Sequence, residues 1–212
     1  MVAKSGMAVV GLENRRNSWC EKSMDILEFE GIRFRLARRR VRRARIEFSL
    51  PQPLLVVPLR ARPEEVLRSN RESIHSRYVR MCEKWRKAAQ LELLDRNQEQ
   101  IHRLAAIYLQ RYTRMLGVER PQLTWRRMTS RWGTCSSKGV IRLNRFLRHL
   151  PEPLVAYVVF HETLHLVNMR HDRHFRLSVA QVFPNYREVD RQLELYGIRM
   201  RHPDLGTVLV NM

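Results

Sequence analysis

The chain has 212 residues, 44% of them hydrophobic, so it can bury a sizeable core and suits one compact domain or one domain with a small appended lobe. Its formal net charge of +19 predicts attraction to polyanions such as nucleic acid or acidic lipid. The three cysteines are widely spaced and form no CxxC pair, which argues against a cysteine-based zinc motif. No apolar run reaches about 20 residues, which argues against a membrane span. We expect a cytoplasmic protein.

Residues 1–25 show no clear periodicity and are predicted to form a poorly ordered leader. Residues 26–50 alternate apolar and polar side chains, which predicts strands around Ile32, Phe34 and Leu36 and again at residues 46–50. The apolar residues 54–59 predict a further short strand. Eight arginines and no acid occupy residues 33–45. We expect the arginines to lie at or near a turn, which makes residues 26–60 a basic β-hairpin region.

Residues 63–117 have the composition of a helical pair. The first predicted helix starts at Pro63, followed by two glutamates, and runs to about Leu94; the second covers about Gln98–Leu116 and stops at Gly117. Two strand-like segments, LTWRRM and VIRLNRFL, follow, separated by the turn-like SRWGTCSSKG. Residues 118–200 are predicted to be a metal-binding core, and residues 201–212 a C-terminal tail.

The segment HETLHLVNMRH follows an apolar run that begins at Pro153 and predicts a buried helix. His161 and His165 are four residues apart, so they share one face of that helix and can bind one metal ion. Glu162 lies about 100° round the helix, within reach of a water on the metal. This HExxH pattern is typical of zinc hydrolases, in which zinc lowers the pKa of its water to about 7 and the glutamate accepts a proton.

A third ligand is needed, and the two candidates are His171 and His174. His171 is favoured, because Asp172 can cap a following helix and leave His171 just before its first turn, pointing back at the other two histidines. The expected cofactor is one zinc ion per chain. The opposite hypothesis is a histidine-bearing core helix that binds no metal.

The segment SRWGTCSSKGVIRLNRFLRHLPEPLVAYVVFHETLHLVNMRHDRHF resembles the core signature of the YgjP-like metallopeptidases, relatives of SprT and WLM-type domains. The similarity rests on the SRWG loop, the IRLN strand, the HExxHL helix and a later histidine with a phenylalanine four residues on. It implies a single α+β, zincin-like domain over residues 26–200, with a small, mostly antiparallel sheet beside the active-site helix. It also implies His161, His165 and His171 as zinc ligands and Glu162 as the catalytic base.

The resemblance places the SRWG loop and Val140–Asn144 near the cleft, where we expect an edge strand to pair with an extended peptide or protein substrate. Zincins often add a hydrogen-bond donor opposite the glutamate to stabilise the oxyanion. By their chemistry, Tyr186, Tyr157 and Arg131 are all candidates for that role or for the cleft wall.

The arginine-rich run supports an alternative function. Exposed arginines on a hairpin would bind phosphates, and SprT-type relatives act on proteins attached to DNA, so a nucleic-acid-associated protease or a non-catalytic binder is the second hypothesis. In the binder, the metal would be structural or regulatory, and Glu162 would have no role. A solvated turn is the competing interpretation. The predicted contact residues are Arg38, Arg39, Arg40, Arg42 and Arg43.

Overall fold

The computed structural model describes residues 25–48 and 52–210. The chain divides into two compact units, Met1–Ser76 and Arg77–Met212. Apart from residue 25, the predicted N-terminal leader lies outside the described residues. Helices and two small sheets make up the described part of the chain, which confirms the predicted α+β class.

The first unit contains a four-stranded sheet with the order β1-β2-β4-β3. Its strands are β1 Ile26–Phe29, β2 Ile32–Arg39, β3 Arg45–Glu47 and β4 Leu54–Pro58. Strands β1 and β2 form an antiparallel hairpin around Glu30 and Gly31, whose φ angles are 52° and 75°. Strand β4 pairs in parallel with β2 and antiparallel with β3. Its three central residues are buried, which explains why this apolar strand occupies an inner position.

The predicted hairpin therefore closes at Glu30 and Gly31, and not at the arginine-rich run. That run does contain a connection, since Arg38 and Arg39 end β2 and the following arginines lead to β3. The strands on either side of it are not neighbours, however, because β4 lies between them. Alternating side chains are compatible with either arrangement, and the burial of β4 decides between them.

Three helices stand where the sequence predicted a pair. They are α1 Pro63–Ser69, α2 Arg71–Ala89 and α3 Gln98–Leu116. Asn70 separates the first two and caps the end of α1, where its side chain donates to the carbonyl of Val66. Helix α3 begins with a capping box between Asn97 and Gln100 and ends, as predicted, at Gly117, which adopts the left-handed conformation with φ 64°.

The second unit contains a three-stranded sheet with the order β5-β7-β6. Its strands are β5 Gln122–Arg126, β6 Gly133–Cys135 and β7 Val140–Asn144. Strand β7 pairs in parallel with β5 and antiparallel with β6. The sequence predicted β5 and β7 as strands but placed β6 in a loop. A short 3₁₀ helix, Arg145–His149, replaces the second half of the strand predicted from VIRLNRFL.

Four helices complete the second unit. They are α4 Glu152–Leu164, α5 Arg173–Val182, α6 Tyr186–Arg201 and α7 Leu205–Val210. Apolar side chains of α3, β7, α4, α5 and α6 form the core of this unit. Within the described residues, no helix is both long enough and apolar enough to cross a membrane.

Candidate metal centre

Helix α4 positions the first two histidines of the site. Its residues 154–160 are all buried, so the helix lies inside the core with His161 and His165 at its C-terminal end. Pro153 stands in the first turn, where its missing N–H has no intrahelical partner to lose. The helix ends at Leu164, but His165 keeps helical angles (φ −64°, ψ −17°). The two imidazole rings therefore stay on one side, with centroids 5.0 Å apart.

The loop after α4 brings His171 back to the pair. Asp172 caps α5 by accepting hydrogen bonds from the backbone N–H of Phe175 and the side chain of Asn168, both 2.9 Å long. This fold of the loop leaves His171 with its Nε2 atom 2.9 Å from the Nε2 atom of His161. Ligand atoms of His161, His165 and His171 all lie within 4.8 Å of one another.

His174 is exposed and does not join the three-histidine group. It lies in the first turn of α5, where it faces the charge of Asp172. Of the two candidates for the third ligand, the structure therefore brings only His171 to the pair.

Hydrogen bonding and packing orient the three rings. The Nδ1 atom of His165 lies 3.0 Å from the carbonyl oxygen of Asn168, which can only accept, so Nδ1 carries the proton and Nε2 keeps its lone pair. The Phe175 ring, 2% exposed, has its centroid 4.8 to 5.0 Å from the centroids of all three imidazoles. The histidines are thus packed around one aromatic ring as well as around the place an ion would take.

Burial favours the neutral form of two of the three imidazoles, His161 and His165. Burial, together with the neighbouring His165 and His171, lowers the pKa of His161 to about 4. Burial also lowers the pKa of His165, and the hydrogen bond to Asn168 partly opposes that effect. Three imidazoles with converging nitrogens are a donor set that fits zinc.

Glu162 lies beside the cluster with only 7% of its surface exposed. Burial raises the pKa of its carboxyl group to about 7, while the charge of Arg131 acts in the opposite direction. Gly133 of strand β6 makes room for this side chain, since a Cβ atom there would lie 2.5 Å from Cγ and 2.7 Å from Oε1 of Glu162. The sequence marked Gly133 only as a turn residue, so its role in seating Glu162 was missed.

Asn144, another residue that sequence reasoning missed, fixes the loop that precedes β6. Its side-chain NH₂ donates to the carbonyl oxygens of Met128 (2.8 Å) and Arg131 (2.7 Å), and its Oδ1 accepts from the backbone N–H groups of Met128 and Phe146. The side chain is 3% exposed and uses all four of its hydrogen-bonding positions. A polar residue at the end of the apolar strand β7 was the available signal.

The sequence model of the family described as "YgjP-like, metallopeptidase domain" matches residues 15–196. The chain belongs to the YgjP-like metallopeptidase family. Comparison with curated proteins gave no match.

Two solved structures are similar to parts of this YgjP-like chain. The crystal structure of the metallopeptidase zymogen of Pyrococcus abyssi abylysin shares 25% identity over 42% of this chain and 90% of that one, with a TM-score of 0.39. The crystal structure of the metallopeptidase zymogen of Methanocaldococcus jannaschii jannalysin shares 19% identity over 48% of this chain and 92% of that one, with a TM-score of 0.38.

The three oxyanion candidates have different surroundings in this YgjP-like domain. The Tyr157 hydroxyl donates to Oδ1 of Asp190 at 2.8 Å, and burial together with this bond raises the pKa of the hydroxyl far above its usual range. The Tyr186 hydroxyl lies 3.4 Å from Nε of Arg187 and is partly exposed. Arg131 is exposed, and its charge acts on Glu162.

The sheet edge that contacts Glu162 is β6, which comes from the SRWG loop, and not Val140–Asn144. Strand β7, Val140–Asn144, is the central strand and is paired on both sides. Within the described part of the chain, β6 pairs with β7 alone, and it is β6 that carries Gly133 against Glu162. The short length of β6 explains why its sequence gave no strand signal.

The predicted nucleic-acid contacts lie in the first unit. Arg38 and Arg39 end β2, Arg40, Arg42 and Arg43 lie between β2 and β3, and all five are exposed. The guanidinium group of Arg38 donates to the carbonyl oxygens of Ala61 (2.8 Å) and Leu59 (3.4 Å), so it supports the connection after β4. Contact with nucleic acid through these residues stays a prediction.

Proposed function

We propose that this YgjP-like domain is a zinc-dependent metallopeptidase in which His161, His165 and His171 hold one zinc ion and Glu162 is the general base. The convergence of the three imidazoles, within 4.8 Å of one another and beside a buried glutamate, carries the proposal. A structural site would need the ligands but would have no use for an acid held next to them.

The metal ligands are supported by the chemistry of the donors. His161, His165 and His171 would hold the metal with three protein ligands, one fewer than the four of a closed structural zinc site. When bound, zinc supplies a Lewis acid that polarises a carbonyl group and brings the pKa of water to about 7.

Glu162 accepts the proton of the attacking water and returns it to the leaving amine. Burial raises the pKa of the carboxyl group, which favours its acceptance of a proton from water. Gly133 allows the carboxylate to lie beside the sheet edge, and the loop held by Asn144 keeps that edge in place.

An extended peptide along the free edge of β6 would lie next to this carboxylate. The edge offers backbone N–H and C=O groups for an added strand. Gly133 in this edge lies directly beside the Glu162 side chain. Arg131 is the best-supported oxyanion donor of the three candidates, because its charge reaches Glu162 while the Tyr157 hydroxyl is held by Asp190.

The replacement of Glu162 by glutamine tests the proposal. Glu162→Gln keeps the size and burial of the side chain but removes the base, so we expect bound zinc to remain at one per chain and turnover to fall about 100- to 10,000-fold. Zinc is measured by mass spectrometry of the purified protein, and turnover with a library of quenched fluorescent peptides. Chelation should abolish hydrolysis, and added zinc should restore it.

The matched control is Glu119→Gln, which makes the same change at an exposed glutamate and should alter neither zinc content nor turnover. Unchanged hydrolysis in Glu162→Gln would contradict the mechanism. Wild-type protein that holds zinc but cleaves no peptide would favour the alternative, a nucleic-acid-associated protein with a structural or regulatory metal.

A further inference from the structure

The segment that forms the sheet beside Glu162 carries only positive charge. Residues 120–151 contain seven arginines, one lysine and no aspartate or glutamate. This segment includes all three strands of the second sheet and the following 3₁₀ helix. The excess is unrelated to the arginine-rich run of the first unit, which lies elsewhere in the sequence.

Three of these cations surround the edge strand β6, and we call them the basic rim: Arg131, Lys138 and Arg142. Arg131 precedes β6, and Lys138 lies in the tight turn from Ser136 to Gly139 that follows it. Arg142 is directly opposite Thr134, the middle residue of β6. All three side chains are exposed, and within the described residues none of them forms an ion pair.

The register of the sheet shows which substrate side chains would meet the rim. Ile141 and Leu143 of β7 are buried, so Arg142 between them projects from the opposite face of the sheet, away from the core. A strand added to β6 also alternates its side chains between the two faces. One set faces Glu162 and the core, and the other lies beside Thr134 at a spacing of about 4.8 Å, within reach of the long Arg142 side chain.

We propose that the basic rim makes this cleft selective for acidic peptide segments, whose carboxylates on the outer face of the added strand pair with Arg142 and Lys138, while Arg131 adds positive charge at the start of the edge. This inference rests on the proposed peptidase function and names the substrate class of the same site. The cations lie before, after and beside the only strand edge that adjoins Glu162 among the described residues, where they act on every peptide bound along it.

A peptide suits this surface better than single-stranded nucleic acid does. Proteins that bind single strands combine cations with aromatic side chains on which the bases stack. Trp132 is the aromatic residue adjoining β6, but it packs against the core and its indole N–H donates to the carbonyl oxygen of Leu193 at 3.2 Å. The edge of β6, in contrast, offers the backbone groups that an extended peptide needs.

The test measures the binding of matched fluorescent peptides to zinc-supplied Glu162→Gln protein by anisotropy. The peptides differ only in carrying three glutamates, three glutamines or three lysines at alternate positions. We expect the glutamate peptide to bind roughly tenfold more tightly than the glutamine peptide, since each exposed charge pair contributes about two- to fivefold. The preference should disappear near 1 M salt, where the screening length is about 3 Å.

Charge reversal locates the effect. Arg142→Glu and, separately, Lys138→Glu should each weaken binding of the glutamate peptide and strengthen binding of the lysine peptide. Arg114→Glu, the same change at an exposed arginine of α3 outside the rim, should leave the preference as it was. Circular dichroism verifies that each variant folds, and Lys138 in a turn provides a second test if Arg142→Glu disturbs the central strand.

Two results would overturn the inference: equal affinity for the three peptides, or an oligonucleotide that binds through Arg142 while acidic peptides bind no better than neutral ones. The proposed function fails separately, if zinc-supplied wild-type protein cleaves none of the peptides. Cleavage of all three peptides with the same kcat/KM would keep the peptidase function and refute the acidic selectivity.

Discussion

The metal centre and the β1–β2 hairpin each contain a glutamate in an unfavourable environment or conformation. Glu162 is an acid buried in an apolar core, where burial raises the pKa of its carboxyl group to about 7. Glu30 occupies the left-handed backbone region with φ 52°, where a residue with a long side chain is strained. The two are unfavourable for different reasons, one through solvation and the other through the backbone.

The surroundings of the two glutamates differ as well. Around Glu162, a glycine leaves space, an asparagine fixes the adjoining loop and a helix packed on all sides sets the direction of the side chain. Around Glu30, the side chain is 34% exposed and forms one ion pair, with Arg71. An unfavourable condition maintained by many buried contacts indicates a site under functional constraint, whereas one at an exposed turn can be relieved by a single substitution.

At the metal centre, the largest expected effect is the loss of zinc affinity when a metal ligand is removed. In His171→Ala, zinc affinity should fall by more than about 100-fold, because the loss of an outer-shell partner alone costs about 10- to 100-fold. In His174→Ala, affinity should stay within about twofold, since this exposed ring does not join the three-histidine group. Competition with a chromogenic chelator measures both affinities. The reverse order would overturn the assignment of His171.

A methyl group at Gly133 should disturb the glutamate without removing a ligand. The added Cβ atom would lie 2.5 Å from Cγ of Glu162, so the carboxylate must move. A displacement of about 1 Å in a reacting group can cost about 100-fold, and we expect kcat of Gly133→Ala to fall by that order while zinc content stays at the wild-type level. Single-turnover kinetics with zinc-supplied protein give the rate.

Gly206→Ala is the control for that substitution, because a Cβ atom there meets nothing within 4 Å and the residue lies in helix α7. It should not alter kcat. Wild-type turnover in Gly133→Ala would show that Glu162 functions from a displaced position and that the close approach of β6 is not needed.

Short-range features of the metal centre could be predicted from the sequence for physical reasons. His161 and His165 are four residues apart, so they lie on the same face of any α-helix. The apolar run before them predicts that this helix is buried. Asp172 was predicted as a cap, and it does cap α5 by accepting from the backbone N–H of Phe175. These features depend on residues close together in the chain, so local rules are sufficient.

The features that were missed depend on residues far apart in the sequence. The contact of Gly133 with Glu162 joins a three-residue strand to a helix that begins after two further elements. Strand β4 likewise lies between β2 and β3 because its central residues are buried. The alternating pattern of the arginine-rich run does not show which strands are neighbours. A pattern of period two specifies a strand but does not specify its partner.

The smallest effect is expected at the hairpin. Turns with two residues at positive φ favour Asn-Gly, so Glu30→Asn should relieve backbone strain while losing the ion pair with Arg71. Because that pair is largely exposed and contributes about 0–1 kcal/mol, the free energy of unfolding should change by less than about 1 kcal/mol, and zinc content and kcat should not change. Urea denaturation measures the stability, and Arg71→Ala in both backgrounds isolates the ion pair. A loss of several kcal/mol in Glu30→Asn would show that the hairpin depends on this glutamate for more than its ion pair with Arg71. That result would contradict the contrast drawn between Glu30 and Glu162.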